Sequence, residues 1–245
     1  MSARKTGYIA GRGAVLASTL FLLLRPGIYA QSGPIVELVD QPDNPLLLQV
    51  TCGLPSAVKG AAGAACKVLA LNRSSSRIRA VSVEYVSLGE EGKLIGSGTR
   101  VVHRGFPVPV LVEAFSPGEQ INLEHITLEP GTVRSRFRVE FVEYENRSVW
   151  GDKHSVVLRE LVSSRAGARK AIEFLHRARK TMDPETALLH LESAKATGSL
   201  YSGWQARDAT ELDSMRRGSE KVIRWLQNAR RSNRLNAGMA ECGLP

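Results

Sequence analysis

The chain has 245 residues, 43% of them hydrophobic and 23% charged, with 33 Lys and Arg against 24 Asp and Glu. That length accommodates one domain and a smaller second unit. The formal net charge of +9 invites a nucleic-acid partner, but its distribution along the chain argues against one.

Arg4, Lys5 and Arg12 precede an apolar run from Ala14 to Leu24, which Arg25-Pro26-Gly27 closes; Ile28-Tyr29-Ala30 then offers a small-residue exit before Gln31. A positive start, an apolar middle and a small-residue exit make residues 1–30 a secretory signal peptide. The apolar run of 11 residues falls short of the roughly 20 that cross a bilayer as a helix. Cleavage is therefore the expectation, and an uncleaved membrane anchor the alternative; only that anchor would bring the chain to a membrane. The reading places the mature chain outside the cytoplasm, in a periplasm or secreted. Removing the segment lowers the charge to 29 basic against 24 acidic residues. Residues 31–158 hold 13 basic and 14 acidic residues, and residues 159–245 hold 16 and 10. The excess is mild and lies in the C-terminal part. With export it argues against a nucleic-acid partner.

Residues 31–50 read as strand, turn and strand, with Ile35–Val39 and Leu46–Val50 flanking Gln41-Pro42-Asp43-Asn44-Pro45. Cys52 and Cys66 enclose a Gly- and Ala-rich stretch. A bridge there would remove much chain entropy, about 3 kcal/mol, and an oxidising compartment permits it. Cys52–Cys66 is the expected disulfide. Cys242 is then left over: it pairs between molecules or, as expected, is a lone thiol on a frayed end.

Cys66–Leu71 and Ile78–Leu88 form strands around the polar turn Asn72–Arg77; Val81, Val83 and Tyr85 alternate with Ser82 and Glu84. Thr99–His103 is a short strand, and Gly96-Ser97-Gly98 a turn before it. Val108–Phe115 carries Pro107 and Pro109 at or beside it, which suits a sheet edge. In Arg136–Tyr144, Phe137, Val139 and Phe141 are expected on one face and Arg136, Arg138 and Glu140 on the other. Short strands with turns every 8–12 residues predict a β-sandwich over 31–157, favoured over a barrel by the prolines and short runs.

Beyond about Val157 the period changes. Ala168, Ala171, Ile172, Leu175, Ala178 and Met182 are spaced three and four apart, with Arg169, Lys170, Arg177 and Lys180 opposite. Asp183-Pro184-Glu185 starts a second helix, and Gly198 stops it. Leu212, Met215, Ser219, Val222, Leu226 and Ala229 mark a third from about Ala206 to Arg230. About three helices over 158–235 are expected, then a flexible tail over 236–245. The apolar stripe of the third helix is a candidate for self-association.

Three features resemble a known group of proteins. They are the strand–turn–strand Leu71–Ala80, the turn Phe115-Ser116-Pro117-Gly118-Glu119, and the closing hairpin Val139–Gly151 with its Trp150-Gly151 end. Over roughly residues 66–151 they are similar to exported bacterial proteins of unknown function with an immunoglobulin- or fibronectin-III-like sandwich. The resemblance implies a mainly β plus α chain: an immunoglobulin-like antiparallel β-sandwich followed by the helical bundle. It carries no activity and no functional residues. Cys52 and Cys66 are too close in sequence to bridge two facing sheets as antibody domains do.

No catalytic set emerges. His103, His125, His154, His176 and His190 lie at no metal-ligand spacing; neither a nucleophile elbow nor a phosphate loop occurs. No metal or cofactor is expected. Glu140, Glu143 and Glu145 read as a solvent face, as do Glu119, Glu124 and Glu129. Asn72-Arg73-Ser74 and Asn146-Arg147-Ser148 match glycosylation acceptors but also suit turns. Trp150 and Trp225 are expected in cores, which leaves Trp204 as the binding candidate. The chain thus reads as an exported, non-enzymatic binding module for a protein or glycan. The alternatives are an assembly partner acting through its helices and an exported hydrolase whose site is built from remote residues.

Overall fold

Alternating β-branched and polar residues hold the first half of the chain extended, and three-four spacing coils the second. A computed structural model describes residues 33–53, 63–104 and 114–243. The expected signal segment 1–30 and most of the strand expected at Val108–Phe115 lie outside the described residues. The strands are β1 (Ile35–Leu38), β2 (Leu46–Gly53), β3 (Ala65–Asn72), β4 (Ile78–Leu88), β5 (Leu94–His103), β6 (Gln120–Thr127), β7 (Arg134–Tyr144) and β8 (Val149–Gly151). The helices are α1 (Val156–Ala178), α2 (Pro184–Ala196), α3 (Ala209–Arg231) and α4 (Leu235–Glu241). The chain is β plus α, as its two periodicities require.

One sheet runs β1-β7-β4-β5, with β8 also pairing β7; the other runs β2-β3-β6. Their core is shared. Val81, Val83, Phe137, Val139 and Val142 of the first pack with Leu46, Leu48, Val68, Ile121 and Leu123 of the second. Trp150 packs against this core too. The expected all-antiparallel pairing fails at one place: β1 runs parallel to β7. Cys52 and Cys66 face each other across β2 and β3 and form a disulfide, which ties neighbouring strands of one sheet.

Two bulges decide which side chains meet the helices. Ser82 pairs with Phe141 while Val83 pairs with Val139, so Glu140 is the extra residue on β7. The alternation therefore slips by one. Phe137, Val139 and Val142 face the second sheet, and Phe141 turns outward, contrary to the sequence pattern. There it joins Ala80, Leu158 and Leu161 in a separate cluster beneath α1. On β4, Ile78 pairs with Tyr144 and Ala80 with Glu143, which makes Arg79 the second bulge. Gly96-Ser97-Gly98 is not a turn but part of β5. A Cβ at Gly98 would lie 2.6 Å from the Tyr85 hydroxyl oxygen, so glycine makes room for that ring.

Ser155 caps α1 by accepting from the Leu158 N–H, 3.2 Å away. Asp183 caps α2 ahead of Pro184, and Gly198 follows the helix at φ 77°, as the sequence predicts. Helices α1 and α3 run in opposite directions and touch backbone to backbone. Ser164 lies against Gly218, and Gly167 against Met215. The core around them includes Ala168, Ala171, Leu175, Leu188, Leu191, Val222 and Leu226, with Trp225 packed against it. The chain's end is not a free tail. Leu235–Glu241 is helix α4, with Met239 and Cys242 buried, because this short helix supplies the last apolar contacts of the helical core.

Candidate functional site

The first turns of α1 and the segment leading into α3 line a cavity of about 470 Å³. Its walls include Lys153, Val156, Arg159, Glu160, Val162, Arg207, Asp208 and Glu211. The α1 side starts where Ser155 caps the helix and donates to Glu140 Oε1 at 2.5 Å, so the β7 bulge anchors this end. On the α3 side, Asp208 Oδ1 accepts from the Glu211 N–H at 2.8 Å, and Glu211 Oε2 accepts from the Arg207 N–H at 2.7 Å. This reciprocal arrangement is a near relative of the capping box. The Asp208-to-Glu211 spacing was legible in the sequence, where the helix start was instead placed at about Ala206.

The chemistry of this cleft is uneven. Val156 and Val162 are 52% and 53% exposed, apolar surface held at the solvent. The acids are engaged: Glu160 pairs with Arg217 at 3.3 Å, and Asp208 and Glu211 serve the α3 cap. Lys153, Arg159 and Arg207 form no ion pair among the described residues. The cleft thus presents apolar anchors beside uncommitted cations. Its volume falls within the usual range of ligand sites, about 300–1,000 Å³. A wider groove of about 670 Å³ runs along the β1–β2 connection, where Leu38, Val39 and Leu47 are partly exposed.

A second charged group lies beneath α1. Arg165 Nη1 donates to Glu143 Oε2, and the two side chains are only 9% and 6% exposed. Glu143 is therefore not on the solvent face expected of a strand carboxylate: the register shift turns it under the helix. Glu140 is engaged likewise, accepting from Ser82 at 2.7 Å and from Ser155. Burial holds the His103 imidazole down at about pKa 4, assisted by the positive charges of Arg165, Lys221 and Arg79. His103 is thus neutral near pH 7.

Trp204, the binding candidate from sequence, is half-buried and packs against the helical core. Lys170 Nζ sits 5.8 Å from its ring centroid. That places the ammonium within cation–π range of the ring. Cys242 is buried rather than exposed on a tail, and burial pushes its thiol up to about 12, with Glu241 adding to the shift. Asn72 is 1% exposed. Its amide donates to the carbonyls of Ser76, Phe115 and Ser116, so it is a turn-building residue and not a glycan acceptor. Asn146 instead stays exposed in the β7–β8 turn, accepting from Ser148. Among the described residues no group of three or more His, Cys, Asp and Glu is placed to hold a metal. Sequence reasoning missed Arg159 and Arg207 because isolated cations on a helix or just before one read as solvated surface.

No protein-family model matches the chain, and no curated protein matches it. Among solved structures it is similar to a protein of Bordetella pertussis described as ApaA. The sequences are 16% identical, the match covers 47% of this chain and 88% of the other, and the TM-score is 0.33. A likeness that distant carries no argument about fold or function.

Proposed function

We propose that this chain is an exported, non-enzymatic interaction module. It is built as an immunoglobulin-like β-sandwich with a C-terminal helical bundle, and the cleft beside α1 and α3 receives a partner. Two facing sheets with a shared core support the sandwich reading. The Cys52–Cys66 disulfide suits an oxidising compartment. No described helix is long and apolar enough to cross a membrane.

The observation that carries the binding reading is the pairing of exposed Val156 and Val162 with uncommitted Lys153, Arg159 and Arg207. Such a surface favours a protein partner that brings an apolar anchor flanked by carboxylates. The hydrolase alternative draws less support, because the acids in the cleft are engaged in an ion pair and a helix cap. Assembly through the third-helix stripe is likewise weakened. Met215, Ser219, Val222 and Leu226 are buried inside the chain, so the stripe is not a surface.

Photo-crosslinking tests the reading. Val162 is replaced by a photoreactive phenylalanine analogue in cells that export the chain, with Leu189, equally exposed on α2, as the control position. A discrete adduct at position 162 and none at 189 is the expected result. Equal labelling at both positions contradicts the proposal.

A further inference from the structure

We propose that Arg79, Arg147, Arg165 and Arg169 form a binding site for a phosphoryl group, distinct from the cleft beside α1 and α3. Arg165 is the base of the site. Its Nη1 is engaged by Glu143, yet Nε and Nη2 are buried with no acceptor among the described residues. Those two N–H groups lie on one side of the guanidinium, in the fork that grips two oxygens of a carboxylate or phosphate. Leaving such donors unsatisfied costs about 1–3 kcal/mol each, more when charged, so an acceptor is the expected occupant.

Three further arginines lie in the same charged region, each placed by a local feature of the fold. Arg169 is one helical turn beyond Arg165 on α1 and shares its face. Arg79 is the bulged residue of β4, beside the Ala80–Glu143 pair. Arg147 sits in the turn between β7 and β8 at φ 69°, the left-handed position that ordinarily closes a three-residue hairpin loop. Burial first, and then the charges of Arg165, Arg147 and Arg169, hold Arg79 below its usual range, with Glu143 alone opposing them. Glu145, the nearest acid in the turn, is paired with Arg77 at 3.6 Å. Four guanidinium groups against one carboxylate leave an excess that a single carboxylate ligand does not balance. A doubly charged tetrahedral oxoanion does so better.

The test uses the full exported chain with its disulfide intact. Isothermal titration with sodium phosphate, against sodium chloride at matched ionic strength, should show saturable binding. Sedimentation with phosphatidic acid vesicles, whose phosphomonoester headgroup can carry two charges, against phosphatidylcholine vesicles, then separates a lipid headgroup from a free phosphoryl ligand. In R147Q/R169Q, which alters two exposed residues and leaves the buried ion pair intact, affinity should fall at least tenfold with an unchanged melting temperature in chloride. Binding of phosphate alone assigns a soluble ligand, and binding of the anionic vesicles with the same loss in the variant assigns a headgroup. Phosphate no better than chloride together with no vesicle binding overturns the proposal, as does equal binding by the variant.

Discussion

Replacing Gly167 by alanine tests the packing that holds the helical region together. An added Cβ would lie 1.9 Å from the Met215 carbonyl oxygen, and one at Gly218 would lie 1.8 Å from that of Ser164. Ordinary contact between such atoms needs about 3.5 Å, so α1 and α3 must separate by more than 1 Å. The obstacle is backbone, which no rotamer change relieves. A gap of 0.5–1 Å already forfeits about a quarter to a half of each dispersion contact, and overpacking of this kind costs about 1–3 kcal/mol or more. The helix-propensity gain of about 1 kcal/mol offsets only part. We expect G167A to lose about 1–2 kcal/mol, which at about 2–4 °C per kcal/mol for a chain of this size lowers the melting temperature by about 2–8 °C. G53A, whose Cβ would meet nothing within 4 Å, is the control and should melt like the parent. The double variant G167A/G218A should lose less than the sum of the singles, because the first substitution already parts the helices. Calorimetry reads all four. A G167A melting temperature equal to or above the parent's refutes the close approach.

Three other outcomes follow from the same structure. Glu143→Gln strands the buried Arg165 charge and should cost about 3–5 kcal/mol in a denaturant titration, whereas the paired E143L/R165M should recover most of it; full stability in the single variant refutes a buried ion pair. The folded-state pKa of His103, about 4, lies below its unfolded value of about 6.5. The unfolded chain therefore binds the extra proton between those values, and stability should fall as pH drops from about 6.5 to 4. His103→Gln should flatten that slope, and an unchanged pH profile would count against the burial of this ring. Reducing the Cys52–Cys66 bridge, which spans a separation of 14 residues, should cost about 3 kcal/mol on the chain-entropy account, read as a lower melting temperature in reductant; no change argues that the bridge constrains nothing.

Much of this architecture was legible in the sequence, and the exceptions have physical causes. Periodicity located the strands from Leu46 to Val50 and Ile78 to Leu88, and the three long helices with the caps at Asp183 and Gly198. It could not reveal the Glu140 and Arg79 bulges, because a bulge shifts register without altering composition. That shift moved Phe141 and Glu143 from their expected faces to the helix interface. The parallel pairing of β1 was hidden because a four-residue strand carries no signal of its partner. Helix α4 reads as tail in the sequence because the terminal Ala240-Glu241-Cys242-Gly243-Leu244-Pro245 looks frayed, while the contacts of Met239 and Cys242 that stabilise it come from distant helices. The cleft was invisible for the same reason: Arg159 and Arg207 stand 48 positions apart and meet only through the packing of α1 and α3.

The most direct test of the binding reading combines the photo-adduct at position 162 with reversal of the uncommitted cations. In R159E/R207E carrying the photoreactive residue at position 162, Val156 remains, the caps of α1 and α3 are retained, and only the charge complementarity is inverted. The adduct yield at position 162 should fall at least tenfold at physiological ionic strength and recover little on lowering the salt. A yield that matches the parent's contradicts the assignment of the cleft as the partner-binding surface.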